Sequence, residues 1–265
     1  MKQGGLKMKR DRAFELDFLR GIALVFMIVM HISWDLCYSF GIRSFAYIEE
    51  NWFSGLFHPI FLMIFVGVSG ICCTLSRNNV FRGLKLLAVA IALTVGTFIV
   101  TFYFRFYCLI IFNVIGLLTV GIFFYALVTF IEKKAKIRPE VTNFILLSLG
   151  CYATILGHYI SIFDYTVDNI LLLPTGIRMN CLPPQGDFMP LFPYIGIFLI
   201  GCVAGRILYS DKKTLFPNAP SWVRAISRPF AFMGRHSLVI YLVHQPVIYG
   251  ILLAIFTIIR SAGRS

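Results

Sequence analysis

The stretch RGIALVFMIVMHISWD, residues 20–35, is apolar enough to predict a membrane-spanning helix, yet it carries three ionisable side chains. A charged side chain at the centre of a bilayer costs about 2.5–3.5 kcal/mol on insertion scales. Such groups therefore face the interior of a helical bundle or a water-filled cavity rather than lipid. Arg20, His31 and Asp35 predict a polar cavity beside the first span.

The composition of the whole chain agrees with a membrane protein. Of its 265 residues 58% are hydrophobic and only 14% are charged, whereas soluble domains are about 25% charged. Apolar runs of roughly 20 residues recur along the chain, which is the length a membrane-crossing helix needs. The sequence predicts an all-α polytopic bundle of about seven transmembrane helices, with residues 1–265 forming a single transmembrane domain.

The charge pattern predicts the orientation of these helices. The expected spans are 18–40, 56–76, 84–104, 107–131, 142–163, 188–209 and 230–259. Basic residues concentrate in the segments that are cytoplasmic if the N-terminus is cytoplasmic, as the positive-inside rule requires. Residues 1–16 then form a basic cytoplasmic tail, and 164–187, with the segment LPPQG, form a long outer loop. The net charge of +12 reflects this topology, so we exclude nucleic acid as a partner.

The seven cysteines give no sign of a metal site. Most lie inside apolar runs, where cysteine behaves as a small hydrophobe, and no CxxC spacing occurs. We therefore expect no bound metal. Cys37 and Cys181 are both expected near the outer face, where a disulfide or two thiols remain alternatives.

Helix geometry places the polar residues of the first span on one face. Arg20 and His31 are eleven residues apart, which is three turns plus ~20° and about 16 Å of rise. Asp35 follows His31 by one turn, and Asp17 falls within ~60° of the same line. This stripe suits a long ligand that enters from the cytosol, with its charged end at Arg20 and its reactive end at His31. In the alternatives Arg20 only reaches the headgroups, His31 bonds to a neighbouring helix and Asp35 contacts the outer loop.

The last predicted span repeats this arrangement in GRHSLVIYLVHQP, residues 234–246. Arg235 and His236 are expected near its cytoplasmic end, and His244 at a depth close to that of His31. The pattern suggests one shared cavity. Alternatively, His244 and Gln245 bond to backbone groups that Pro246 frees.

Three further features mark polar or packing positions. His58 precedes a proline at the outer start of the second span and is either functional or interfacial. Asn113, in IIFNVIG, is expected inside the fourth span, where it lines the cavity or bonds between helices. Gly201 and Gly205 form a small-xxx-small face, which predicts close helix packing.

Four blocks of the sequence together resemble a known family. They are ELDFLRGIALVFMIVMHISWD, IFLMIFVGVSGICCTLSRNN, PLFPYIGIFLIGCVAGRILY and GRHSLVIYLVHQP. In this order, and over most of residues 12–250, they resemble the bacterial heparan-alpha-glucosaminide N-acetyltransferase-like membrane proteins. The spacing from Arg20 to His31 is also similar to the Arg-to-His motif of the acyltransferase-3 membrane enzymes.

The resemblance implies acyl transfer across a membrane, with acetyl-CoA as the cytosolic donor, a sugar as the outer acceptor and a membrane-embedded histidine as the key group. In the lysosomal enzyme of this family the position resembling His31 is Asn, and the active histidine lies further on, before the second span. His58 is therefore a rival of His31. The resemblance also leads us to expect a histidine where Asn113 stands.

We therefore predict a membrane-embedded, acyl-CoA-dependent acyltransferase that modifies a sugar or glycan. Arginine suits phosphate because it binds in a bidentate manner, so Arg20 and Arg235 are predicted to bind the phosphates of CoA. His236 and Asn113 are further predicted donor-binding residues. The expected location is a bacterial cytoplasmic membrane. The expected partners are the lipid bilayer, acyl-CoA and a glycan acceptor. A homo-oligomer is one alternative for the assembly state.

Four side chains are predicted to act in catalysis. His31 is predicted to act as general base on the acceptor or to take the acyl group covalently, and Asp35 to orient His31 and stabilise its charged form. His244 polarises the thioester carbonyl or replaces His31 as base, and His58 is the alternative catalytic histidine. Two other classes remain open: a transporter or flippase that uses the same polar stripe, and a non-catalytic membrane subunit.

Overall fold

A computed structural model describes residues 13–163, 166–179, 185 and 187–262, and this part of the chain is built almost entirely of helices. The α-helices are α1 (Phe14–Trp34), α2 (His58–Leu75), α3 (Asn79–Tyr103), α4 (Val114–Lys134), α5 (Pro139–Ile162), α6 (Tyr194–Leu208), α7 (Ser221–Arg235) and α8 (Ser237–Ala262). The two short strands β1 (Thr166–Val167) and β2 (Arg178–Met179) pair in parallel. The predicted all-α polytopic membrane fold is confirmed.

Six helical stretches in the described residues are long and apolar enough to cross a membrane. The predicted span 188–209 corresponds to α6, which has 15 residues. At 1.5 Å per residue α6 is about 22 Å long, whereas the hydrocarbon core of a bilayer is about 30 Å thick. The number of crossings and the cytoplasmic N-terminus therefore stay predictions.

Some predicted features lie outside the described residues. They are residues 1–12 of the basic tail, Cys181 and most of the segment LPPQG. The alternative disulfide between Cys37 and Cys181 is therefore untested. Between the two strands, Ile170–Thr175 forms a 3-10 helix.

The last predicted span, 230–259, is wrong as a single helix. The chain breaks at His236, whose backbone N–H bonds to the carbonyls of Phe232 and Met233. The segment before the break, α7, is amphipathic: by helix geometry Arg224, Arg228 and Arg235 fall within ~40° of one another. The predicted span includes only the end of α7, whose charged face is typical of a surface helix rather than of a membrane-crossing one.

The fourth span begins later than predicted, and Asn113 is not inside it. The side-chain oxygen of Asn113 accepts hydrogen bonds from the backbone N–H groups of Ile115 (3.1 Å) and Gly116 (3.3 Å). Asparagine at this position satisfies two N–H groups that have no partner within the helix. The predicted interior position of Asn113 is therefore corrected to a helix N-cap, and its predicted part in donor binding stays untested.

The chain divides into two compact units, and α2 contributes residues to both. The first unit comprises residues up to Phe65 together with Asp211 onward. Within it, α7 lies antiparallel on α1: the Cα of Gly21 approaches the carbonyl of Phe230, and that of Gly234 approaches the carbonyl of Asp17. These small residues allow the two backbones to touch.

Two polar contacts hold the beginning of α1 in the same unit. The carboxylate of Glu15 accepts hydrogen bonds from the hydroxyl of Thr214 (2.7 Å) and the backbone N–H of Leu215 (2.9 Å). Glu15 is buried. A buried carboxylate requires such donors, so these bonds fix the loop before α7 against the start of α1.

The second unit, Val66–Ser210, packs its helices through glycines and a partly buried ion pair. Gly201 of α6 lies against the backbone of Gly67, and Gly205 against Ile71, which confirms that these glycines form a packing face. Arg206 donates to Glu132 at 2.7 Å and to Asn143 at 2.5 Å. These bonds join α4, α5 and α6.

Candidate active site

Two of the predicted histidines meet in the first unit. His31 on α1 and His244 on α8 have ring centroids 4.8 Å apart, with the rings nearly perpendicular at 83°. The contacts of Phe40 with Tyr249 and Phe256 continue the same pairing further along. The two helices therefore run parallel, and the sequence positions 31 and 244 fall at one level.

Hydrogen bonds to the backbone decide which nitrogen of each imidazole is protonated. Nδ1 of His31 lies 2.8 Å from the carbonyl oxygen of Met27, and Nδ1 of His244 lies 2.6 Å from that of Tyr241. A carbonyl only accepts, so each Nδ1 carries the hydrogen. In the neutral rings Nε2 then has a lone pair and is the basic atom.

The basic nitrogen of His244 is left without a protein partner. Its Nε2 is buried and forms no hydrogen bond within the described part of the chain. A buried polar atom without a partner costs about 1–3 kcal/mol and requires an explanation such as a catalytic role. The arrangement thus retains a buried hydrogen-bond acceptor beside His31.

Asp35 contacts a residue that was not among the predicted site residues. The side-chain amide of Gln245 donates to both carboxylate oxygens of Asp35, at 3.2 and 3.1 Å. Asp35 is only 3% exposed and begins a π-helical turn, Asp35–Ser39. Such turns occur frequently at functional sites. In the sequence, Gln245 stands out as a polar side chain next to a proline within an apolar run.

His31 and Asp35, one turn apart at the end of α1, are not hydrogen-bonded to each other in the described residues. Instead, Nδ1 of His31 bonds to the carbonyl of Met27, one turn earlier. Asp35 lies within electrostatic range of His31. The predicted role of Asp35, to orient His31 and stabilise its charged form, stays a prediction.

His58 lies at the start of α2, directly after a second π-helical turn, Phe53–Phe57. One turn further, the ring of Phe61 stacks on Phe26 of α1 with centroids 3.5 Å apart. This contact holds the start of α2 against α1, within electrostatic range of His31. His58 therefore remains a rival catalytic histidine.

The predicted donor-binding residues are not brought into mutual contact. Arg20 is half-buried and has no hydrogen bond or ion pair within the described residues. Arg235 is exposed at the end of α7, and Nδ1 of His236 donates to the carbonyl of Phe232 at 2.9 Å. Asn113 caps α4 in the second unit. A half-buried guanidinium without a partner favours an anionic ligand at Arg20.

Replacing Gln245 by leucine is expected to destabilise the protein by about 1–3 kcal/mol, because it leaves the buried carboxylate of Asp35 without this donor. The measurement is the unfolding temperature in detergent. A double-mutant cycle with Asp35→Asn isolates the pair, since residues in contact couple by about 0.5–3 kcal/mol. Strictly additive effects of the two substitutions would contradict this contact.

Within the described residues, no group of three or more His, Cys, Asp or Glu side chains is arranged to hold a metal ion.

The family model described as "Heparan-alpha-glucosaminide N-acetyltransferase, catalytic" matches residues 12–246. No curated protein and no solved structure matches the chain.

Proposed function

The chain belongs to the heparan-alpha-glucosaminide N-acetyltransferase catalytic family, and from this premise we propose that it transfers an acetyl group from cytosolic acetyl-CoA to a sugar or glycan on the opposite side of the membrane. Membership makes it a membrane protein of an acetyltransferase family. The donor, the acceptor and a location in a bacterial cytoplasmic membrane are parts of the proposal.

The observation that carries the proposal is the contact between His31 and His244, each with Nδ1 bonded to a carbonyl. His31 Nε2 takes a proton from the acceptor amine or hydroxyl as that atom attacks the thioester carbonyl. The new C–N or C–O bond forms, the C–S bond breaks, and CoA leaves as the thiol after gaining a proton. General-base catalysis of this kind contributes about 10²–10⁴-fold.

The neighbouring groups stabilise the charge that this step creates. The carboxylate of Asp35 stabilises the positive charge that develops on the ring of His31 as the ring takes the proton, because opposite charges attract strongly where water is excluded. Nε2 of His244 is available to accept a hydrogen bond from the acceptor or from protonated His31. Gln245 positions the carboxylate and ties α8 to the end of α1.

The donor fits the length of α1. Arg20 and His31 are separated by about 16 Å along the helix, and acyl-CoA likewise separates its phosphates from its thioester by an extended arm. The unpaired guanidinium of Arg20 is proposed to bind a phosphate. Arg235, at the end of α7, is proposed to bind another phosphate of the same donor, with His236 beside it.

Acetyl-CoA is expected to raise the unfolding temperature of the purified protein. A ligand that binds only the folded state adds about 2.7 kcal/mol when present at a hundred times its Kd. Arg20→Ala is expected to remove most of this gain, whereas Arg260→Ala, which removes an exposed arginine at the end of α8, is expected to retain it. The absence of any shift at millimolar acetyl-CoA in the unmodified protein would contradict acetyl-CoA as the donor.

A further inference from the structure

Four aromatic rings form a connected cluster between α1 and α2. Tyr47 lies nearly parallel to Trp52, with centroids 6.3 Å apart, and meets the ring of Phe53 edge-on at 5.2 Å. Trp52 in turn contacts Phe57 at 5.8 Å. We call Tyr47, Trp52, Phe53 and Phe57 the aromatic cap.

Tyrosine hydroxyls tether this segment to the end of α1. Ser33 Oγ donates to the carbonyl of Val29 at 2.9 Å, so in its 2.6 Å bond with Tyr47 the tyrosine hydroxyl must be the donor. The hydroxyl of Tyr38 donates to Glu49. The cap is therefore pre-organised, which lowers the entropic cost of binding a ligand there.

The aromatic cap lies at the same end of α1 as His31 and directly before the start of α2. Ser33, which anchors Tyr47, follows His31 by two residues, and Phe57 directly precedes His58. Arg20 is about 20 Å from Ser33 along α1. A donor whose phosphates bind at Arg20 thus reaches the histidines from one end of the helix, and the cap remains for the acceptor at the other.

The chemistry of the cap fits a sugar ring. Trp52 is 54% exposed and Phe57 is 42% exposed, so aromatic surface is available for contact. A pyranose has an apolar C–H face and a rim of hydroxyl groups, and aromatic side chains combined with a few polar groups suit such a ligand. Glu50 and Asn51, both exposed, precede Trp52 and offer hydrogen-bonding groups.

We propose that the pyranose ring of the acceptor stacks on Trp52 of the aromatic cap, with its hydroxyls bonded to Glu50 and Asn51. This inference rests on the proposed acetyl transfer to a sugar. Aromatic side chains also anchor membrane proteins at the lipid–water interface. Loss of a membrane anchor would affect all acceptors equally, so a comparison of a sugar with a non-sugar acceptor separates the two roles.

Acetyl transfer from acetyl-CoA is measured with two acceptors, p-nitrophenyl α-D-glucosaminide and the non-sugar amine 2-methoxyethylamine. Trp52→Ala is expected to raise KM for the glucosaminide about tenfold, the effect of losing one well-packed aromatic contact. KM for 2-methoxyethylamine and for acetyl-CoA is expected to stay unchanged. Trp52→Phe retains a ring and is expected to restore most of the affinity for the glucosaminide.

Trp222→Ala is the matched control, because Trp222 is an exposed tryptophan on α7, and it is expected to leave both acceptor KM values unchanged. Equal effects of Trp52→Ala on both acceptors, or no effect on either, would overturn the stacking inference and leave the proposed function intact. An unmodified protein that acetylates neither acceptor would overturn the proposed function, and the inference with it.

Discussion

Replacing His31 by alanine is expected to lower kcat for acetyl transfer by about 10²–10⁴-fold, the usual contribution of a general base. The loss follows from the geometry, because Nε2 of His31 is the basic atom once Nδ1 is bonded to the carbonyl of Met27. KM for acetyl-CoA is expected to change little, since Arg20 is about 16 Å away along α1. Steady-state kinetics in detergent or proteoliposomes gives both parameters.

The control for this prediction is His158→Ala, which removes an exposed histidine on α5 and is expected to leave kcat unchanged. Circular dichroism and the unfolding temperature check that His31→Ala is folded. Retained activity in a folded His31→Ala protein would move the base to His244 or His58. If His31 and His244 act as a unit, the double variant loses little more than His31→Ala alone.

Alanine at Gly234 or Gly21 is expected to destabilise the first unit by about 3 kcal/mol or more, the upper end of overpacking costs. A methyl group at Gly234 would overlap the carbonyl of Asp17, and one at Gly21 would overlap that of Phe230. Both obstacles are backbone atoms, which cannot rotate away as a side chain can. The measurement is the unfolding temperature of each variant together with its yield after purification.

Gly250→Ala separates this steric effect from a general effect of replacing glycine. Gly250 lies within α8, and among the described residues a methyl group there has no neighbouring atom within 4 Å. Alanine is favoured over glycine in a helix by about 1 kcal/mol, so this variant is expected to be as stable as the unmodified protein or more stable. Equal stability of the Gly234→Ala, Gly21→Ala and Gly250→Ala proteins would show that α1 and α7 do not touch as described.

The class of the fold and the pairing of His31 with His244 could both be predicted from the sequence. Apolar runs of membrane-crossing length follow directly from composition, because a bilayer selects the same residue types throughout a span. His31 and Asp35 stand out in the sequence because ionisable side chains are costly in lipid. His244 was associated with His31 because the two residues lie at similar depths in their spans. These inferences need only one-dimensional spacing and helix geometry.

The hydropathy pattern did not predict where individual helices begin and end. The beginning of α4 at Val114 depends on the cap that Asn113 forms, and the break at His236 divides a run that hydropathy treats as continuous. Hydropathy measures only transfer to lipid, and it does not register whether a given N–H or carbonyl has a helical partner.

The hydrogen bonds within the candidate site could not be predicted, because they depend on contacts between distant helices. Sequence spacing placed Asp35 one turn from His31, yet the carboxylate bonds to Gln245, 210 residues away, because Nδ1 of His31 is already bonded to Met27. The same contact between α1 and α8 leaves Nε2 of His244 buried, with no hydrogen-bond partner among the described residues. Spacing along one helix determines which side chains share a face. The hydrogen bonds that those side chains form depend on the groups that a neighbouring helix places against that face.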